Sequence, residues 1–170
     1  MAESKSKPRR KARQSSIYRK LEALLCEMML MTERLPKNAN GLQAVGVRVV
    51  NETLEALSTT EFAIHSSDMN ARIAYIAALI HSMTIVKTCC RELYGFSRKD
   101  RIEPKVGKDG KVVTNGQGDA VFVKSPLYGR VISNAQYATL LELFSEIGKE
   151  VMRWYNVTLS KMSQNNVSAR

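Results

Sequence analysis

Histidine and cysteine are scarce in this chain of 170 residues, which contains two histidines and three cysteines. Cys26, Cys89 and Cys90 form no Cys-x-x-Cys pair and are odd in number, so neither a disulfide framework nor a structural zinc site is expected. Such cysteine usage suits a reducing compartment, and we expect the protein in the cytoplasm.

Long apolar runs are also missing. No run approaches the roughly 20 residues that a membrane span requires, and the first residues are basic and polar, without an apolar signal region. We therefore expect a protein that is neither exported nor membrane-spanning. Hydrophobic residues make up 44% of the chain and charged residues 25%, which is typical of a folded globular domain.

Acidic residues are nearly missing from residues 1–20, where eight basic residues stand against Glu3 alone in a chain of net charge +10. No apolar residue between Ala2 and Ser16 is larger than Ala, so we expect residues 1–15 to be a disordered basic arm. The arm is either a solubilising tail or, as we favour, a contact for nucleic-acid phosphates. The candidate contacts are Lys5, Lys7, Arg9, Arg10, Lys11 and Arg13.

Four segments have the three- and four-residue spacing of amphipathic helices. The first begins at Ser15 or Ser16 and ends before Pro36, and the fourth is expected to be capped by Asn134. We predict an all-α, antiparallel four-helix bundle over residues 16–163, followed by a C-terminal tail at 164–170. The expected core stripes are Ile17, Leu21, Leu24, Leu25, Met28 and Met31; Leu42, Val45, Val49, Ala56 and Leu57; Ile73, Ile76, Ile80 and Met83; and Tyr137, Leu140, Phe144, Ile147, Val151 and Trp154.

A Gly-rich insert at residues 95–132 separates the third and fourth helices and holds six of the nine glycines. Residues 111–114 and 120–124 are β-prone and flank a five-residue loop at 115–119, which predicts a β-hairpin. A connection of this length inside a bundle is more often functional or disordered than structural.

Catalytic constellations are not apparent. Glu61 and His65 are four residues apart, whereas a bundle di-iron site needs Glu-x-x-His. Arg72 and His81 are too distant in sequence for the paired residues of a helical ribonuclease, and we expect His81 to be half-buried. Cys89 and Cys90 are expected to be small core residues. We therefore expect no enzyme, no metal and no cofactor, with a metalloenzyme or a ribonuclease as the less favoured alternative.

Lys87 and Arg91 are four residues apart on the third helix, where Lys87 continues the 73–76–80–83 stripe and interrupts it with a cation. Their stems can pack while the charged ends reach solvent. Alternatively, this part of the bundle faces a partner or the central channel of an oligomer.

Several short stretches together resemble a known family, the accessory variability proteins of bacterial and phage diversity-generating retroelements. These proteins share a four-helix bundle with the ribosomal-RNA intervening-sequence proteins. The resemblance covers about residues 17–155 without the insert. It is carried by Leu35-Pro36-Lys37, Val86-Lys87-Thr88-Cys89-Cys90-Arg91, Ile132-Ser133-Asn134-Ala135-Gln136-Tyr137, and Glu146-Ile147-Gly148-Lys149 with Trp154.

The resemblance implies a non-enzymatic homo-oligomer, expected to be a pentamer, that assists a reverse transcriptase in making mutagenised cDNA from a template RNA. It also implies that Lys87 and Arg91 contact nucleic acid or a partner, that Gly148 permits close helix approach, and that Trp154 is a core residue. The long insert, the basic arm and Met152 depart from the family pattern. An intervening-sequence-type bundle of unassigned role is the alternative.

Overall fold

The computed structural model describes residues 15–168, in which four helices pack side by side with a small β insert between the third and the fourth. The elements are α1 (Ser16–Glu33), α2 (Asn40–His65), α3 (Met69–Phe96), β1 (Asp100–Pro104), β2 (Phe122–Pro126) and α4 (Asn134–Ser168). Each helix packs against its sequence neighbours, and α1 contacts α4 to close the bundle. The predicted four-helix arrangement is confirmed.

The core is one apolar cluster to which all four helices contribute. The predicted α1 stripe is confirmed except that Leu25 is half-buried, and Leu140, Phe144, Ile147 and Val151 of α4 are buried as expected. Trp154, predicted to be a core residue, is only half-buried against the cluster.

The buried side of α3 differs from the predicted stripe. Ile73, Ile80 and Met83 are only half-buried, so the prediction was wrong about which side of α3 faces the core. The side chains that face the core are Ile76, Leu79, Ser82, Val86, Cys90 and Leu93. Lys87 therefore does not interrupt the buried seam, because Val86 occupies the corresponding core position.

Close helix approach occurs at a glycine that the sequence analysis did not single out. A Cβ on Gly46 of α2 would contact Leu35 and would lie 3.0 Å from Cγ2 of Thr32. At Gly148 of α4 the same test finds no atom within 4 Å, so the expected close approach is not found there within the chain. Gly46 thus sets the spacing of α1 and α2.

The start of α4 is fixed by a capping box. The Ser133 hydroxyl accepts a hydrogen bond from the Gln136 backbone N–H at 3.1 Å, and the Gln136 side-chain oxygen accepts one from the Ser133 N–H at 3.1 Å. The predicted cap Asn134 is instead the first helical residue, and its side-chain oxygen accepts a hydrogen bond from the Tyr94 hydroxyl at 2.9 Å. The cap is therefore Ser133.

The end of α4 also differs from the prediction. The helix continues to Ser168, so residues 164–168 are not a separate tail. Helix α3 is long and apolar enough to cross a membrane by length and composition alone, a property that core helices share, and here it packs between α2 and α4.

The pairing of the insert corrects the predicted hairpin. The five-residue loop at 115–119 is present and is closed by the Thr114–Ala120 bridge. Residues 122–126, however, pair antiparallel with 100–104, not with 111–114. A second tight loop at 107–111 is closed by the Val106–Val112 bridge.

Three backbone hydrogen bonds join the arms of the insert in a ring. Lys105 N–H donates to the Val121 carbonyl at 2.7 Å, Val121 N–H to the Val113 carbonyl at 2.9 Å, and Val113 N–H to the Lys105 carbonyl at 2.8 Å. The three residues are spaced eight apart, so the β1–β2 ribbon and the two short hairpins meet at one junction. Backbone groups, not buried side chains, hold this junction together.

The insert contains fewer residues than the predicted range 95–132, because α3 extends to Phe96 and because Val131 and Ile132 are buried in the core. We define the β insert as residues 98–130. Its base is closed by a hydrogen bond from the Leu127 N–H to the Lys99 carbonyl at 3.0 Å.

Candidate functional site

A groove of about 420 Å³ runs between α3 and α4. Its floor is mostly apolar, and Gly148 leaves an open stretch along α4. We call it the α3–α4 groove. Its lining residues are Ile80, Met83, Thr84, Lys87, Thr88, Arg91, Tyr137, Phe144, Ile147, Gly148, Val151 and Met152.

Lys87 and Arg91 both line this groove and are both exposed, as the four-residue spacing predicts. Arg91 forms a 3.8 Å ion pair between its Nε and Oε1 of the adjacent, exposed Glu92. Lys87 has no ion pair with any residue of the described chain. Both charged groups are thus available to an anionic ligand.

Sequence reasoning missed an aromatic and cationic stack at the end of the groove. The rings of Tyr94 and Tyr137 are stacked with centroids 4.1 Å apart, and the Arg98 guanidinium lies 4.9 Å from the Tyr94 ring centroid. Arg98 also donates a hydrogen bond to the Asn134 side chain, which fixes it between α3 and α4. Because Arg98 lies beyond Phe96, the last residue of α3, helical spacing from Lys87 and Arg91 does not extend to it.

The remaining predicted site residues belong to the basic arm. Lys5, Lys7, Arg9, Arg10, Lys11 and Arg13 lie outside the described residues. The chain enters the bundle at Ser15, which shares a pocket with Ala63 and Arg72. That pocket is at the end of the bundle opposite the β insert.

Of the two α3 cysteines predicted to be core residues, Cys90 is in the core, whereas Cys89 is only half-buried against it. Cys90 is buried, and its burial raises the pKa of the thiol to about 12. Burial is also the main cause that raises the pKa of Cys89, which is half-buried. A raised pKa keeps both thiols protonated, which is the opposite of what a nucleophile needs.

Both histidines lie on the surface of the bundle. His81 is exposed, so the predicted half-buried position is wrong, and His65 is exposed as well. Within residues 15–168 no three histidine, cysteine or acidic side chains come close enough to hold a metal ion.

A separate ion-pair cluster joins α1 to α4. Lys20 Nζ lies 2.6 Å from Oε1 of Glu150 and 2.9 Å from Oε2 of Glu146. Hydrogen bonds to Glu146 and Glu150 raise the pKa of Lys20, and the hydrogen bond to Lys20 lowers the pKa of Glu146. These charged groups pair with one another, so we assign them to the contact between α1 and α4.

No protein-family model, curated protein or solved structure matches this chain. The fold and the surface define a four-helix bundle that carries exposed cations along one groove and a β insert at one end.

Proposed function

We propose that this protein is a non-enzymatic, nucleic-acid-binding accessory subunit, which assists a cytoplasmic retroelement reverse transcriptase in mutagenic cDNA synthesis from a template RNA. The resemblance in sequence suggests the reverse transcriptase and the template RNA. The surface supports the nucleic-acid part of the proposal through one observation, the line of cations beside the α3–α4 groove.

That line consists of Lys87 and Arg91, which are about 6 Å apart along α3 at a rise of about 1.5 Å per residue, and Arg98, which lies two residues beyond the end of α3. Glu92 is the only acidic partner that any of the three has among residues 15–168. Exposed cations that do not pair with carboxylates are suited to phosphates, which accept charge-assisted hydrogen bonds. At the end of this line the rings of Tyr94 and Tyr137 stack on each other, and the Arg98 guanidinium lies over the Tyr94 ring.

The decisive experiment is purification of the tagged protein from the cells that naturally encode it, followed by identification of the proteins and RNA that are bound to it. We expect the polymerase and one defined RNA to co-purify. Recovery of the protein without either would favour the intervening-sequence-type alternative, which shares the bundle but not the partner.

The double variant Lys87→Gln/Arg91→Gln tests the groove itself. We expect it to weaken binding of the co-purified RNA or polymerase by roughly 1–3 kcal/mol, because charge-assisted hydrogen bonds are lost. Lys149→Gln/Arg153→Gln is the matched control, since these exposed cations are also four residues apart but do not line the groove. We expect the control to stay within about 0.5 kcal/mol.

A thermal melt of each variant shows whether the bundle is intact. If the folded groove variant binds as tightly as the wild type, Lys87 and Arg91 are not part of the site. Equal losses in both double variants would mean that total charge matters and position does not.

The basic arm makes a separate prediction. If about five arm cations meet phosphates of single-stranded RNA, log K falls against log salt with a slope of roughly −3 to −4. Deleting residues 1–14 should flatten that slope. An unchanged slope would assign the arm to solubility alone.

We also propose that the protein is a homo-oligomer, as the resemblance suggests, with a pentamer as the expected form. Phe144 and Val151 belong to the core of one chain and Tyr137 packs against it, so these apolar residues are used within the bundle. The exposed apolar side chains that could meet another copy include Met29 and Val47, which border one shallow pocket between α1 and α2. Light scattering that reports a monomer at micromolar concentration would contradict this.

A further inference from the structure

The β insert presents its two ribbon faces very differently. Cross-strand partners lie on the same face, and alternate residues of a strand lie on opposite faces. The register pairs Asp100 with Pro126, Ile102 with Lys124 and Pro104 with Phe122, so these six residues share one face. We call it the Phe122 face.

The opposite face is occupied by its own polar contacts. Arg101 Nε lies 2.7 Å from Oε2 of Glu103, and the Ser125 hydroxyl donates a hydrogen bond to the same carboxylate. Charges on this face are therefore compensated within the ribbon.

On the Phe122 face the acidic residue is Asp100, whose Oδ1 lies 3.3 Å from Nη2 of Arg130, so this carboxylate is paired with Arg130 and not with Lys124. Phe122 is 61% exposed and Ile102 is 70% exposed, although both are large apolar side chains. Lys124 is exposed and forms no ion pair with the residues that the structure describes, and it is two residues from Phe122, which is about 7 Å along a strand. An aromatic ring therefore lies near a free ammonium group.

The carboxylates near the far end of the ribbon are used in turns. Asp109 Oδ1 accepts a 3.3 Å hydrogen bond from the Lys111 backbone N–H, and Asp119 Oδ2 accepts a 3.4 Å hydrogen bond from the Asn115 side chain. Lys105, Lys108 and Lys111 are exposed there without an ion pair in residues 15–168. The far end of the ribbon, with these three lysines, therefore has a positive charge that is complementary to an anionic chain.

We propose that the Phe122 face is a stacking platform for single-stranded nucleic acid, separate from the α3–α4 groove. A nucleotide offers both a flat aromatic base, which stacks on Phe122, and a phosphate, which Lys124 binds. In a duplex the base faces are stacked inside the helix, so a duplex would gain only the electrostatic attraction between its phosphates and Lys124. This inference rests on the proposed function, since it names the strand state of the nucleic acid and a second place where it binds.

The fold of the β insert does not depend on the exposed side chains of the Phe122 face. The ring of backbone hydrogen bonds through Lys105, Val113 and Val121 orders the insert, so Phe122 is free to be replaced without loss of the fold. Phe122→Ala and Phe122→Tyr are therefore informative variants. Val112→Ala is the matched control, because Val112 is also an exposed apolar residue of the insert but is not aromatic.

The experiment measures fluorescence anisotropy of the full chain with a labelled single-stranded oligouridine and with a labelled RNA duplex. Base stacking on an aromatic ring is lost in Phe122→Ala, so we expect the affinity for the single strand to fall roughly 5- to 100-fold. Phe122→Tyr and Val112→Ala should stay within about twofold of the wild type. Affinity for the duplex should not change in any of the three.

Each other outcome has a distinct meaning. If the wild type binds neither RNA, the proposed function and this inference both fail. If the wild type binds the single strand and Phe122→Ala binds equally well, the platform is wrong while the proposed function stands. A lower mass of Phe122→Ala in light scattering would make the face a contact between copies, and displacement of the oligouridine by polyglutamate at equal charge would make it an acidic-protein site; either result overturns the inference.

Discussion

The bundle and the β insert obtain their order in different ways. In the bundle, side chains such as Leu21, Leu79 and Ile147 are completely buried. In the β insert no residue from 98 to 130 is buried, and the ring of backbone hydrogen bonds together with tight glycine turns defines the structure. A segment that needs no buried side chains leaves most of them exposed to a partner, whereas the large apolar side chains inside the bundle are committed to the core.

The largest expected effect comes from a comparison of one apolar residue in each region. Leu79→Ala should lower the free energy of unfolding by about 2–5 kcal/mol, because it leaves a cavity in the core. Val112→Ala in the insert should stay within about 0.5 kcal/mol. Urea unfolding followed by circular dichroism measures both. Similar costs at the two positions would mean that insert side chains contribute to folding after all.

The second test uses pH, which acts on a buried group that only the bundle has. Because burial raises the pKa of Cys90 to about 12 from an ordinary value of 9.0, its contribution to stability is complete below pH 9 and is lost as the pH rises toward 12. The loss should be at most about 1.4 kcal/mol per pH unit. Urea unfolding at pH 8, 9 and 10 should therefore show a shallower decline for Cys90→Ala than for the wild type.

Cys26→Ala is the control for this experiment, because Cys26 is exposed and should leave the wild-type slope in place. Parallel slopes for Cys90→Ala and the wild type would show that the buried thiol does not govern the alkaline loss of stability.

The smallest expected effect is local to the insert. Gly118 has φ of 86°, in the region that favours glycine, whereas Gly116 has no positive φ, and a Cβ at either position would meet no atom within 4 Å. Gly118→Ala should cost about 1 kcal/mol through backbone strain and should speed hydrogen exchange of the Asp119 and Val121 amides. Gly116→Ala should leave exchange unchanged. The melting temperature of the bundle should not move in either variant, and a clear drop would mean that the two regions unfold together.

The helices could be predicted from the sequence because their apolar spacing is local. The stripes of α1 and α4 follow directly from residues three and four apart. The start of α3 is also local, because the Asp68 side chain accepts a hydrogen bond from the Asn70 N–H at 2.9 Å. The seam of α3 could not be read in the same way, since this helix is apolar on several sides and its buried side includes Ser82. Packing against α2 decides which side is buried.

Strand pairing was harder to predict, because residues 100–104 and 122–126 are far apart in sequence. The loop at 115–119 is local and was predicted, while the choice of partner for residues 122–126 depends on the junction at Lys105, Val113 and Val121. Of the candidate site, Lys87 and Arg91 could be placed by their spacing. Arg98 was missed because it lies just beyond the end of α3.

The hydrogen bond from Leu127 to Lys99 places the two ends of the β insert side by side. A segment whose entry and exit coincide can be gained or lost in a single genetic event, since the remaining chain needs only a short turn to connect α3 with α4. The four-helix framework and the insert can therefore evolve at different rates.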